Sequence, residues 1–134
     1  MKGRLFALIL LAASTMTNCG CGDGAPADTR EFGKLSGKVT VKGAPLPGGM
    51  QIVFLPATGQ KGAFADIGTD GTYSTEAVTG VNQVYLVAGV GADGKYVDPA
   101  AMGVLPQFLD VSQSGLTADA PAGGESKADF EVGQ

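Results

Sequence analysis

The stretch that decides the fold is Leu35–Pro56, LSGKVTVKGAPLPGGMQIVFLP. Residues 35–42 alternate apolar or small side chains with lysine, serine and threonine, which predicts a strand with one buried and one solvated face. Residues 43–49 (GAPLPGG) contain the glycines and prolines of a turn. Residues 50–55 (MQIVFL) are apolar at both alternating sets of positions, which predicts a central strand that Pro56 ends. The stretch therefore predicts two strands joined by a turn.

The same period of two recurs along the rest of the chain. Further predicted strands comprise residues 63–67, 72–75, 82–90, 116–120 and 127–132. The segment Gly68–Gly71 (GTDG) separates the first two of these, which predicts a hairpin turned at Asp-Gly. No segment has a convincing helical period. Seven short strands within about 100 residues predict an all-β fold, a seven-stranded antiparallel β-sandwich.

At the N-terminus, the first residues have the pattern of an export signal. Two basic residues precede an apolar run of nine, Leu5–Ala13 (LFALILLAA). This run suits a secretory signal and is too short to span a bilayer as a mature helix. We therefore expect residues 1–20 to be a signal peptide and the protein to be exported.

The only two cysteines come directly after this signal and predict a lipid anchor. A disulfide between Cys19 and Cys21 would be strained, because bridged Cα atoms prefer a separation of about 5.5 Å. The chain has no histidine to complete a metal site with them. The segment resembles the lipobox of bacterial lipoproteins: Gly20 is suitable at position −1 of Cys21 although Asn18 is polar at −3. We expect acylation of Cys21, with Cys19 as the alternative cysteine. Ordinary cleavage near residues 12–14, which would leave a free secreted domain, remains a second alternative.

The composition of the chain after the signal sets the size and charge of the mature protein. Residues 21–33 are polar and contain glycine and proline, so we expect a flexible tether reaching about 40 Å at most. Residues 34–134 then form one domain, which we expect to be monomeric. Without Lys2 and Arg4 the chain keeps seven basic and thirteen acidic residues, a net charge of −6. This acidic balance argues against nucleic acid as a partner and against electrostatic docking on anionic lipid.

Beyond these patterns, particular segments resemble carboxypeptidase regulatory-like domains. Residues 35–56 are similar to their opening pattern, roughly V-x-G-x-V-x-x-x-G-x-P-L-x-G-A-x-V-x-F. Thr69–Tyr73 (TDGTY) resembles their T-D-x-x-G-x-Y hairpin, two residues shorter. Gly80–Val87 occupies the place of their G-x-Y-x-V-x-V strand, with the aromatic residue displaced to Tyr85. The tail, residues 114–132, resembles the closing strands of small bacterial lipoproteins built on this domain.

This resemblance covers about residues 34–132 and implies a transthyretin-like (prealbumin-like) seven-stranded sandwich. In such families the domain is usually an accessory module for adhesion, folding or spacing, and often has no assigned activity. The resemblance thus implies a structural or binding role rather than catalysis.

The residues themselves also provide no catalytic machinery. A chain without histidine lacks the commonest general base and the Ser-His-Asp arrangement. We therefore expect that the protein is not an enzyme and that it has neither a catalytic residue nor a cofactor. The acidic residues that could attract a metal ion are Asp66, Asp70, Asp93, Asp98 and Asp110. Their spacing does not match a calcium loop, and Asp70 and Asp93 each precede a glycine, as turn residues do. We expect no metal site.

Residues 91–113 form a long segment without a regular pattern, and segments of this length are usually functional or disordered. The segment is too apolar for a solvated loop. We therefore expect an ordered excursion that packs Phe108 and Leu109 over a sheet edge or over one end of the sandwich. The functional alternative is a pocket between this segment and the Asp70 turn, with Tyr96, Phe108 and Asp70 as candidate ligand-facing residues.

These observations together favour a non-enzymatic β-sandwich lipoprotein, attached to the cell envelope, that acts as a structural or binding module. The alternative is a surface lipoprotein that binds a glycan or another small ligand, with an envelope glycan or protein as partner. That alternative requires an exposed aromatic pair or a carboxylate pocket on one face. Because the chain has no tryptophan, we expect Tyr73, Tyr85 and Tyr96 to pack in the core instead.

Overall fold

The computed structural model describes residues 30–59 and 61–133. The expected signal peptide and most of the expected tether lie outside the described residues. Within them the chain forms nine strands: β1 (Phe32–Val41), β2 (Ala44–Pro45), β3 (Met50–Pro56), β4 (Ala63–Asp66), β5 (Thr72–Val78), β6 (Gly80–Ala88), β7 (Leu116–Ala120), β8 (Glu125–Lys127) and β9 (Phe130–Glu131). The described residues also include a 3₁₀ helix, Pro106–Leu109, and no helix among them is long and apolar enough to cross a membrane.

The strands form two sheets. Sheet I contains β1, β2, β5, β8 and β9, and sheet II has the order β4-β3-β6-β7. In sheet II, β3 and β6 pair antiparallel over seven residues, Met50–Pro56 with Asn82–Ala88. In sheet I, β5 pairs antiparallel with residues 32–38 of β1. The predicted all-β, antiparallel sandwich is confirmed, and so is the central position of residues 50–55. β1 begins at Phe32, two residues before the expected domain boundary.

The closing strand expected at residues 127–132 is present as β8 and β9, which pair with β1 in parallel rather than antiparallel. The direction results from the path of the chain. β7 ends at the same end of the sandwich at which β1 begins, so a strand that starts there must run alongside β1 in the same direction. The pairing is interrupted at Ala128, whose carbonyl oxygen lies directly over Gly37 of β1. Glycine is required at this position, because any side chain would meet that carbonyl.

The hairpin predicted around Gly68–Gly71 is wrong in its pairing. β4 pairs with β3, whereas β5 pairs with β1 over seven residues, so the turn carries the chain from sheet II to sheet I. Asp70 stabilises this turn: its Oδ1 accepts hydrogen bonds from N and Oγ1 of Thr72 at 3.1 and 2.6 Å. Gly71 adopts a φ of 80°. The Asp-Gly pair identifies the turn correctly. The strands on either side of it, however, do not pair with each other, because β4 pairs with β3 and β5 pairs with β1.

A second crossing between the sheets joins β5 to β6 and is stabilised by Asn82. This side chain is fully buried. Its Nδ2 donates hydrogen bonds to the carbonyl oxygens of Val78 and Gly80, each at 2.9 Å. Because a buried amide without hydrogen-bond partners is costly, these bonds stabilise the point at which the chain changes sheets.

The core lies between the two sheets. Its fully buried side chains are Leu35, Val39, Leu46, Ile52, Phe54, Ala77, Val84, Leu86 and Val132. Tyr73 lies at the centre, with ring centroids 5.6 Å from Phe54 and 6.4 Å from Phe130. Its hydroxyl donates a hydrogen bond to the carbonyl oxygen of Ala128. Tyr73 therefore joins the aromatic core to the C-terminal segment.

The two ends of the sandwich differ. The N-terminal end contains the start of β1, the β5–β6 crossing and the β7–β8 connection. The opposite end, here called the loop end, is closed by residues 89–115. Val104 and Phe108 of this segment are buried, and the amide of Leu105 donates to the carbonyl of Val132 at 3.1 Å. The expected ordered excursion that packs Phe108 over one end of the sandwich is confirmed.

Candidate binding surface

The three residues that the sequence suggested as ligand-facing have different environments in the structure. Phe108 is in the core and only 6% exposed, so its ring is closed to a ligand. Tyr96 is 80% exposed on the loop end, opposite Val90 in an isolated β-bridge. Asp70 is engaged with Thr72 in its own turn. The two candidate lipidation residues, Cys19 and Cys21, lie outside the described residues.

The aspartates in the loops accept hydrogen bonds from the backbone. Asp93, Asp98 and Asp110 each accept a hydrogen bond from the amide two residues later, at 3.1, 3.0 and 2.8 Å. A side-chain hydrogen bond from Ser112 lowers the pKa of Asp110, and one from Thr72 lowers that of Asp70. Across residues 30–59 and 61–133, no three of the His, Cys, Asp and Glu side chains are grouped so that they could hold a metal ion. The turns account for these carboxylates without a ligand.

The outer face of sheet I is polar except at its N-terminal end, where Phe32 lies opposite Val78 and is 40% exposed. Lys34 of β1 lies directly opposite Glu76 on one side and Glu125 on the other. The next outward residue of β1, Ser36, lies opposite Ser74 and Lys127. Opposite charges facing each other across neighbouring strands are favourable and keep this face hydrated.

The outer face of sheet II is different. Residues such as Ile52 and Phe54 are buried, so the alternation of the strands turns their neighbours outward. This outer face consists of Gln51, Val53 and Leu55 on β3, Phe64 and Asp66 on β4, Val81, Gln83, Tyr85 and Val87 on β6, and Thr117 and Asp119 on β7. More than half of these eleven residues are apolar, and none is lysine or arginine.

Three of these side chains form a row across three strands. Val53 lies directly opposite Phe64 on one side and Tyr85 on the other. Phe64 is 64% exposed, and Val53 and Tyr85 are half-buried. Because neighbouring strands are about 4.8 Å apart, the two aromatic residues are about 10 Å apart. We call Phe64, Val53 and Tyr85 the aromatic row.

Polar side chains border the aromatic row on both sides. Towards the loop end, Nε2 of Gln51 donates a hydrogen bond to Oδ1 of Asp66 at 2.8 Å. Towards the N-terminal end, Gln83 lies opposite Thr117 and is exposed. Asp119 lies opposite Val81, which is 53% exposed. The face therefore combines a central apolar strip with amide, carboxylate and hydroxyl groups at its margins.

The sequence predicted the wrong environment for some of the aromatic residues. The expected core position is right for Tyr73 and wrong for Tyr96, and Tyr85 faces outward from sheet II. Phe64 was detectable in principle, since it alternates with Ala65, which faces inward next to Ile52. The sequence could not indicate that, among residues 30–59 and 61–133, no further layer lies over β3.

A separate shallow cavity of about 360 Å³ lies at the N-terminal end, lined by Glu31, Phe32, Ala122 and Gly123. The guanidinium of Arg30 lies 5.6 Å from the centroid of the Phe32 ring. This cation–π contact covers one side of the ring at the point where the chain enters β1.

Comparisons with known proteins bear on the fold alone. No protein-family model matches the chain, and no curated protein matches it either. Among solved structures, the TIE protein of Bacillus anthracis is similar at a TM-score of 0.50 and 11% identity, and a DUF3823 family protein from Parabacteroides merdae at 0.49 and 17%. BcpA, the major pilin subunit of Bacillus cereus, is similar at 0.48 and 12%.

These similarities cover 76%, 78% and 76% of the chain, in the same order. The chain spans 16%, 47% and 30% of the respective proteins, which is less than half of each. At such sequence identities, the likeness to the TIE protein supports a β-sandwich fold and nothing beyond it.

Proposed function

We propose that this protein is a non-enzymatic lipoprotein of the cell envelope, a carboxypeptidase regulatory-like β-sandwich that acts as a structural or binding module. The observation that carries the proposal is the polarity of the domain. β1 begins at the N-terminal end, whereas residues 89–115 close the opposite end. A chain held at Cys21 presents its loop end away from the point of attachment.

The length of the preceding segment suits this arrangement. Between Cys21 and the start of β1 at Phe32 there are ten residues, which span about 35 Å at most. Two or three acyl chains on one cysteine hold a protein stably in a bilayer, since each buried CH₂ contributes about 0.8 kcal/mol. The domain would then lie close to the membrane surface but clear of it.

The non-enzymatic part of the proposal is supported by the roles of the polar residues. The loop carboxylates accept hydrogen bonds within their own turns. The buried hydroxyl of Ser114 donates to the carbonyl oxygen of Val84. The chain contains no histidine to act as a general base. These residues have structural tasks that account for their presence.

The anchor is tested by expressing the full chain in a bacterium and determining the intact mass of the membrane-associated protein. We expect an N-terminal, acylated Cys21. The variant Cys21→Ser should lose the membrane-bound form, whereas the matched control Cys19→Ser should keep it. An unmodified N-terminus upstream of both cysteines would refute the lipoprotein assignment. The reverse behaviour of the two variants would place the anchor on Cys19.

A further inference from the structure

We infer that the outer face of sheet II binds a neutral polysaccharide chain, which lies along the aromatic row of Phe64, Val53 and Tyr85. The inference rests on the proposed function, because it names the ligand class and the surface of the binding module. It is carried by the composition of this face, by its charge and by its size.

The first step is that this face is too apolar for a sheet surface that only faces water. A solvated antiparallel face normally carries polar residues at the outward positions, as sheet I does at Lys34 and Ser36 of β1. In sheet II, β3 contributes Val53 and Leu55 outward, and Phe64 next to them is 64% exposed. Contiguous exposed apolar patches bordered by polar residues mark interaction sites. The outer face of sheet II therefore has the features of a binding surface.

The second step is the match to sugar chemistry. Pyranose rings have faces rich in C–H groups that pack against aromatic rings, and edges rich in hydroxyls. Phe64 and Tyr85 lie two strand spacings apart, about 10 Å, with the side chain of Val53 between them. The amides of Gln51 and Gln83 lie on either side of this row, where they can exchange hydrogen bonds with hydroxyls at the edges of a sugar chain.

The third step is charge. The outward residues of sheet II include Asp66 and Asp119 and no lysine or arginine. An acidic polymer or an anionic lipid headgroup would meet only like charge there, which is unfavourable. A neutral chain meets no such repulsion, and carboxylates are good acceptors for its hydroxyl groups. The charge of the face therefore selects an uncharged ligand.

The fourth step is size. Four strands spaced about 4.8 Å apart make a face about 19 Å wide and about 20 Å long, or about 400 Å². Two copies packed face to face would bury about 800 Å² in total, less than the roughly 1,200 Å² at which stable protein interfaces begin. A second copy of this chain is thus a poor occupant. A single extended polysaccharide chain would cover only the aromatic row and therefore does not need the area of the whole face.

The test uses the full-length protein, purified in a detergent without a sugar headgroup. Retention is measured on four neutral polysaccharides (cellulose, a β-1,3-glucan, xylan and starch) and on alginate as an acidic counter-probe. We expect retention on at least one neutral polysaccharide and none on alginate. Phe64→Ala and Tyr85→Ala should each reduce retention at least tenfold, whereas Phe64→Tyr should keep it. The matched control is Tyr96→Ala, which removes an exposed aromatic residue from the loop end and should change nothing.

Each of the contrary outcomes overturns the inference. These are failure to bind any of the four neutral polysaccharides, stronger retention on alginate, and retention that survives both alanine variants while their circular dichroism shows a folded β protein. A dimer in sedimentation experiments that is lost in Phe64→Ala would assign the face to a second copy instead. Intact-mass data on the same preparation distinguish the two proposals. Acylated Cys21 without polysaccharide binding would support the anchored module and refute this inference. Polysaccharide binding without acylation would support this inference and refute the anchor.

Discussion

Replacing Gly37 by alanine should destabilise the protein strongly, although the same change in an ordinary strand is favourable. Alanine normally stabilises a strand by about 0.5–1 kcal/mol relative to glycine, because glycine loses more backbone freedom on folding. Gly37, however, faces the core directly under the carbonyl of Ala128. A methyl group built there would lie well within 3.0 Å of the oxygen of that carbonyl. The structure therefore predicts a reversal of sign.

The expected magnitude has two parts. Inserting a methyl group into a packed site costs about 1–3 kcal/mol. The displaced carbonyl of Ala128 is also the acceptor for the buried hydroxyl of Tyr73, and leaving such a buried donor unpaired costs about 1–3 kcal/mol more. We expect a total of about 3–4 kcal/mol, which lowers the thermal midpoint by roughly 15 °C or more in a domain of this size.

The assay is urea unfolding and thermal melting of Gly37→Ala beside the wild type. Gly124→Ala is the matched control, because a methyl group there would lie 3.3 Å from the ring of Pro121 in an exposed turn and should change stability little. A Gly37→Ala variant as stable as the wild type, or more stable, would show that the carbonyl of Ala128 does not lie over β1 at this point.

Two further predictions concern the core. Phe108→Ala should lower the free energy of unfolding by about 3 kcal/mol, because the ring is buried under the loop end. Tyr96→Ala in the same segment should leave the melting temperature unchanged. Equal effects of the two substitutions would show that residues 89–115 are not packed as described. Burial, with a smaller effect from Asp129, raises the pKa of the Tyr73 phenol above its ordinary value near 10. The stability that depends on the neutral phenol is therefore complete below about pH 10 and decreases as the pH rises above it. Urea titrations from pH 8 to 11 should show this decrease in the wild type and a smaller one in Tyr73→Phe, and a similar decrease in both would disprove the assignment.

Much of the fold could be predicted because the strands of this protein are short and their alternation is strict. The lysines of β1 and the inward residues between them have a period of two, and the structure places them as expected. The packing of Phe108 was also predictable, because residues 91–113 are too apolar for a solvated loop. In these places local pattern and tertiary structure agree.

The hairpin at Asp70 failed for a physical reason. A turn fixes only the local direction of the chain, and Asp70 and Gly71 do so here. Strand partners depend on which pairing buries more apolar surface and forms more hydrogen bonds, and β1 offers β5 seven paired residues. No local signal within residues 63–75 contains that information, because the β1 partners of β5 lie 34 to 46 residues earlier in the chain.

The candidate site was even less accessible to sequence reasoning. A strand that is apolar on both faces, such as β3, is expected in the middle of a sheet that is covered on both sides. The central position is correct, but within residues 30–59 and 61–133 nothing covers the second face. The pattern of β3 therefore has two possible causes, an inner layer of the protein or a ligand outside it, and only the structure distinguishes them. Because Val53 and Leu55 are partly exposed to solvent at a cost in hydration free energy that the fold does not recover, their apolar character is best explained by a partner that covers them. Phe64, which is 64% exposed, lies directly opposite Val53 and extends the same apolar patch.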